Sequence, residues 1–105
     1  MSQHYFSTSH EGGPVTVLLG WDRPLGHFFM VIEKPPVEEG DSQYLYSNLN
    51  EKNAFNRDLA YYKSKLAEFG LSVPAAMFEQ IEKDQSLNVG NRMVWYREDG
   101  TFQEN

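Results

Sequence analysis

The chain contains no cysteine. That removes a disulfide framework, a thiol nucleophile and a thiolate metal site together, and it suits a reducing compartment. Basic residues are scarce: nine Lys and Arg stand against fifteen Asp and Glu, for a formal net charge of -6. This is the wrong sign for a chain that works by neutralising phosphates, so no nucleic-acid partner and no anionic membrane surface are expected. Long apolar runs are missing as well, and none approaches the ~20 residues of a membrane span. The opening MSQHYF has neither the basic nor the apolar region of a secretory signal, so a cytoplasmic location is expected. Repeats and low-complexity tracts are also missing.

What remains is the composition of one globular unit. The 105 residues are 40% hydrophobic and 14% aromatic. A chain of this length buries roughly 60–70% of the surface its unfolded form exposes, enough for one core without staples or a structural metal. A single domain spanning 1–105 is expected, with no cofactor.

The first third alternates short apolar runs with Gly and Pro, the pattern of consecutive antiparallel strands. Residues 5–9 make a weak first strand. After Gly12, Gly13 and Pro14, residues 15–21 place Val15, Val17, Leu19 and Trp21 on one face, a clear strand pattern. In Asp22-Arg23-Pro24-Leu25-Gly26 a turn has its usual parts: Pro fixes φ, Gly accepts a left-handed backbone and Asp accepts from backbone amides. Residues 27–33 return as the hairpin partner, and with apolar side chains on both faces this strand is expected to be central and covered twice. Residues 34–42, with two prolines, a glycine and the acids Glu38, Glu39 and Asp41, read as a solvated loop, and residues 44–46 as a fourth strand.

From Phe55 the period changes. Phe55, Leu59, Tyr62, Leu66 and Phe69 fall along one helical stripe, with Asn53 or Asn56 placed to cap it. Gly70 suits the left-handed position that ends such a helix, and Ser72 with Pro74 reads as the cap and first turn of a second helix carrying Met77, Phe78 and Ile81 inward. Asn88 and Gly90 end the second helix at about residue 85. The organisation is therefore a strand-rich 1–50, a helical hairpin over 54–87, a final strand within 91–98 and a flexible tail over 99–105. The fold class is α+β: a two-layer sandwich, an antiparallel sheet of four or five strands with two helices on one face. One helical layer cannot cover both apolar faces of the central hairpin, so a loop, a terminus or a second subunit must cover the other.

Chemistry is thinly represented. His4, His10 and His27 match no metal-ligand spacing such as HExxH, and their ordinary role is that of polar strand-end residues. Ser7, Ser9 and Ser47 lie in no nucleophile elbow, and Gly12-Gly13 lacks the Lys-Ser/Thr and following helix of a phosphate loop. No catalytic residue and no metal ligand is assigned. The distinctive stretch is the turn where Trp21, Asp22, Arg23 and His27 offer an acid, a guanidinium and an imidazole among aromatics; the competing reading is that Asp22 only caps the turn. Tyr44, Tyr46 and Trp95 are the other candidates, either core residues or interface anchors.

At GWDRPLGHFFMVIE (20–33), LYSNL (45–49) and GLSVPAAMFEQIEKD (70–84) the chain resembles a group of small uncharacterised bacterial proteins. These open with a strand holding histidine and aromatics, carry a similar Asp-Arg-Pro-Leu hairpin, and end with a Val-Pro-x-x-Met helix and a short strand. The resemblance covers most of the chain and implies a bacterial, cytoplasmic α+β domain. The motifs carry no assigned chemistry, so no site residue transfers.

The leading functional expectation is a non-enzymatic protein-interaction module, with a homo-oligomer or another protein as partner, using the uncovered sheet face or an edge strand. The alternative is a small-molecule binder or enzyme with a pocket near the 22–27 turn, His27 acting as base and Asp22 or Arg23 orienting it. An acidic surface mimicking nucleic acid is the third reading, weakened because the acids are scattered along the chain.

Overall fold

The strand pattern of the first third is realised in the computed structural model, which describes residues 1–34, 44–48 and 58–104. Strand β1 (Ser2–His10), β2 (Gly13–Asp22), β3 (His27–Glu33) and β4 (Tyr44–Ser47) form an antiparallel meander. The β1–β2 loop is the two residues Glu11 and Gly12, with φ of 50° and 81°. Two successive left-handed residues match the twist of the flanking strands, which is why such loops close hairpins tightly. The β2–β3 turn is held as its residues suggest: Asp22 Oδ1 accepts from the Leu25 amide at 3.2 Å, and Gly26 N donates to Asp22 O at 2.7 Å.

Helix α1 (Leu59–Glu68) is capped by Asp58, whose carboxylate accepts from the Tyr61 amide at 2.9 Å. The cap is thus neither Asn53 nor Asn56; those residues, with Phe55 and the acids of the 34–42 loop, lie outside the described residues. The helix buries Leu59, Tyr62 and Leu66 and ends at a left-handed Gly70, with Leu71 N bonded back to Leu66 O at 2.9 Å. Helix α2 (Ala75–Leu87) starts at Pro74 without a side-chain cap, so Ser72 does not cap it. It runs to Leu87, where the helical hairpin is expected to end, and is followed by a left-handed Asn88. Met77 and Ile81 are fully buried, whereas Phe78 is only partly so.

Strand β5 (Arg92–Tyr96) then pairs with β1, and β6 (Phe102–Glu104) returns antiparallel beside it. The sheet order is β4-β3-β2-β1-β5-β6. The α+β class stands, but the sheet has six strands and is mixed, which corrects the antiparallel sheet of four or five. The physical reason is the helical hairpin: it carries the chain across the sheet, so β5 arrives beside β1 running the same way. Residues read as a tail supply the sixth strand. One cluster joins Phe6, Val17, Leu19, Met30 and Ile32 of the sheet to Leu66, Met77 and Ile81 of the helices, so the core lies between these two layers. Among the described residues no helix is long and apolar enough to cross a membrane.

Candidate functional site: the sheet face away from the helices

Alternation along β1 sends Ser2, His4 and Phe6 toward the helices and leaves Gln3, Tyr5 and Ser7 on the other face. Two of the inward residues are polar, and both are satisfied. Ser2 Oγ accepts from the Trp21 amide at 3.1 Å. His4, fully buried, lies 2.8 Å by Nδ1 from the Tyr96 hydroxyl and 2.5 Å by Nε2 from Asp84 Oδ2. Asp84 Oδ1 accepts from Arg92 at 2.8 Å, and Arg92 also donates to Gln80 and to Glu104, each at 2.9 Å. The network ties β1, α2, β5 and β6 together. It corrects the reading of His4 as a strand-end residue.

The charges in this network are set by their neighbours. Burial raises the Asp84 carboxyl, but hydrogen bonds from His4, Arg92 and Ser2 outweigh it and hold the group below its ordinary value. Burial opposes the Arg92 cation, and bonds to Glu104 and Asp84 more than restore it. Burial pushes the Tyr96 phenol far above its usual range, with Asp84 and Glu104 adding to the shift against Arg92. Tyr96 therefore stays protonated, and the ionised Asp84 accepts from His4 Nε2–H.

Fixing His4 against Tyr96 fixes what the same strands show on the reverse face. Tyr5 pairs with Trp95 in the parallel ladder, and their rings stack at 5.7 Å and 12°. The register extends this pair into one row across all six strands: Ser47, Val31, Leu18, Tyr5, Trp95, Gln103. Trp95 is 40% exposed, and Met93, two residues before it on the same face, is 36% exposed. Tyr5, Leu18 and Val31 are half-buried. Near the β2–β3 turn the face closes, because Phe29 lies over Gly20 and is itself buried. Among the described strand residues of this face the carboxylates are Asp22 at the turn and Glu33 at the other end of β3. Burial first, and then the charge of Glu33, raise the Tyr5 phenol above its ordinary value.

The residues expected from sequence divide between places. Asp22 and His27 face each other as the last pair of β2 and β3. Asp22 caps the turn, and His27 Nδ1 donates to the Phe28 carbonyl at 2.9 Å. Trp21 points the other way, into the core, edge-on to Phe28 at 5.1 Å with its Nε1–H directed at Asn88 Oδ1. Arg23 lies against Gly90 in the connection to β5. Tyr44 and Tyr46 lie on the edge strand β4, the latter against Phe69 and beneath Lys65. Trp95 alone of the seven belongs to the six-strand row. Tyr5, Leu18, Val31 and Met93 escaped sequence reasoning. For Leu18 and Val31 the signal was visible, since they are the second apolar face of the hairpin; for Tyr5 it was not, because its partner comes from a strand 90 residues away.

No group of three or more His, Asp or Glu among the described residues is arranged to hold a metal ion. No family model, curated protein or solved structure matches the chain.

Proposed function

We propose that this chain is a protein-interaction module that binds another polypeptide through the sheet face away from the helices. The observation that carries the reading is the register-aligned row Val31–Leu18–Tyr5–Trp95, apolar along its length and ending in Ser47 and Gln103. An apolar centre with a polar rim, anchored by Tyr and Trp, is the composition of a binding patch. The turn at 22–27 supports the alternative less well, because the Asp22 carboxylate and His27 Nδ1 are engaged in holding backbone groups.

The test is site-specific photocrosslinking in cells. Benzoylphenylalanine at position 95 is expected to give discrete protein adducts that Tyr5→Glu abolishes, whereas the same label at the exposed Glu79 of α2 gives none. Absence of adducts at 95, or the same adducts from both positions, overturns the proposal.

A further inference from the structure

We infer that the partner on this face is a second copy of the chain, the two sheets packing face to face about a two-fold axis that runs along the strands between β1 and β2. The inference rests on the interaction reading above and adds the identity and geometry of the partner.

Charge restricts where a second copy can sit. Each copy carries a net charge of -6, so two copies repel across most of their surfaces, and the row from Val31 to Trp95 holds no carboxylate, Asp22 and Glu33 lying at the ends of the strands. Size permits it. Six strands about 4.8 Å apart, averaging about six residues each, span roughly 600 Å² per copy. Two copies then bury roughly 1,200 Å², the lower end of stable interfaces. Since part of the face near Phe29 is already closed, the contact is small, and a reversible dimer dissociating in the micromolar range is expected.

Shape selects the axis. The row has an aliphatic half, Val31 and Leu18, and an aromatic half, Tyr5 and Trp95, with its midpoint between Leu18 and Tyr5. A two-fold along the strands inverts the row, setting Tyr5 on the partner copy's Leu18 and Trp95 on its Val31. Thick then meets thin along the whole row, and packing stays dense. An axis along the row instead sets Trp95 on Trp95 and Val31 on Val31, with a wedge of empty space at one end. Two sheets joined in the first way keep their strands near the roughly 30° crossing of aligned sandwiches.

Charge agrees with the same axis. The next outward row holds Glu33 on β3, Thr16 on β2 and Ser7 on β1. On the other side, Arg97 is the first residue past β5, whose last paired residue, Tyr96, lies opposite Phe6; it opens the turn to β6, with Nη1 3.4 Å from Thr101 Oγ1. Inverting that row brings Glu33 of each copy to Arg97 of the other, giving two symmetric ion pairs at the rim.

The experiment is sedimentation velocity over a hundredfold concentration range on four forms of the full chain: wild type, Glu33→Arg, Arg97→Glu and the double variant. Both changed residues lie at the rim, so folding is retained, and circular dichroism checks it. The wild type is expected to move from 12.1 kDa toward twice that mass. Each single reversal should weaken association about tenfold, and the double variant should restore it. Trp95→Glu should weaken it at least about 30-fold. A wild-type monomer at every concentration overturns the second-copy inference; crosslinked adducts at 95 of any other mass would then leave the interaction reading standing, and their absence would end both. A dimer in which the double variant restores nothing, or which ignores Trp95→Glu, overturns the axis and the face respectively.

Discussion

Tyr5 and Trp95 stack in parallel, ring centroids 5.7 Å apart, across the parallel strand pair β1–β5, while their chain neighbours His4 and Tyr96 are hydrogen-bonded at 2.8 Å on the opposite face. The two contacts share two strands, so the buried one holds the register that builds the exposed one. They should differ in what they contribute. Trp95 is 40% exposed, and Trp95→Ser should lower the stability of the isolated chain by only about 1 kcal/mol. Trp21, inside the core, should cost about 3–5 kcal/mol on replacement by Ala. Urea unfolding at low protein concentration separates the two; equal losses would mean that Trp95 is a core residue and not part of a binding face.

The inner contact belongs to a buried charged network, and its members should not be equivalent. Asp84→Ala leaves His4 without its acceptor and Arg92 without its inner partner, at a cost of about 3–5 kcal/mol. Tyr96→Phe removes one hydroxyl bond to His4, at about 1–2 kcal/mol. The order Asp84→Ala above Tyr96→Phe should hold in equilibrium unfolding, and amide exchange in β1 and β5 should accelerate together in the first variant.

Acid and alkali should each weaken the fold through this network. The Asp84 carboxyl is held below its ordinary value of 3.8 in the folded chain, so the unfolded chain takes up its proton first as pH falls. The contribution of Asp84 is therefore complete above that value and disappears as pH drops through the lower folded one. Tyr96 is raised above its ordinary 10.0, so the unfolded chain loses that proton first, and stability falls as pH climbs beyond about 10. Unfolding free energy against pH should slope at both ends. Asp84→Asn should flatten the acid limb, and Tyr96→Phe the alkaline one.

Gly20 should tolerate no side chain. A Cβ there would lie 2.0 Å from the Ser2 carbonyl oxygen and 2.6 Å from the Phe29 ring. Phe29 can swing away, but the backbone of β1 cannot move without disturbing the His4 network. Gly20→Ala is expected to cost about 1–3 kcal/mol, with the largest chemical-shift changes at Ser2 and Phe29. A neutral substitution would mean that β1 slides freely at this end.

The parts of the fold that were legible in the sequence are those where one physical pattern dominates locally. Val15, Val17, Leu19 and Trp21 alternate without interruption, and all four are buried on the helix side. The 22–27 turn and Gly70 were legible because backbone geometry demands those residue types. Strand β1 was half hidden, because its inward positions include Ser2 and His4 and a polar residue facing a core breaks the apolar alternation. That its hydrogen bonds come from Trp21, Tyr96 and Asp84 is a long-range fact no local window contains. The sixth strand left no signal at all: Phe102–Glu104 are three exposed residues, kept in place by β5 and by Arg92 reaching Glu104. The site followed the same division, with Trp95 recognisable as an aromatic anchor and Tyr5 recognisable only once the parallel register is known.

The β1–β2 loop offers the opposite test, a place where the chain departs from what its geometry prefers. Glu11 is held at φ 50°, a left-handed conformation in which a Cβ crowds the following carbonyl. The next residue, Gly12, takes φ 81° without that penalty. Asn is the residue that best tolerates the first position of such a loop, because its short side chain bonds locally to the backbone. Glu11→Asn creates an Asn-Gly loop at the required place and should stabilise the chain by roughly 0.5–1 kcal/mol. The contact given up is small, since the Glu11 carboxylate lies 4.0 Å from His10 and is itself 86% exposed. Thermal unfolding should show an upward shift of several degrees. A downward shift would mean that the His10–Glu11 pair contributes more than the backbone strain it accompanies.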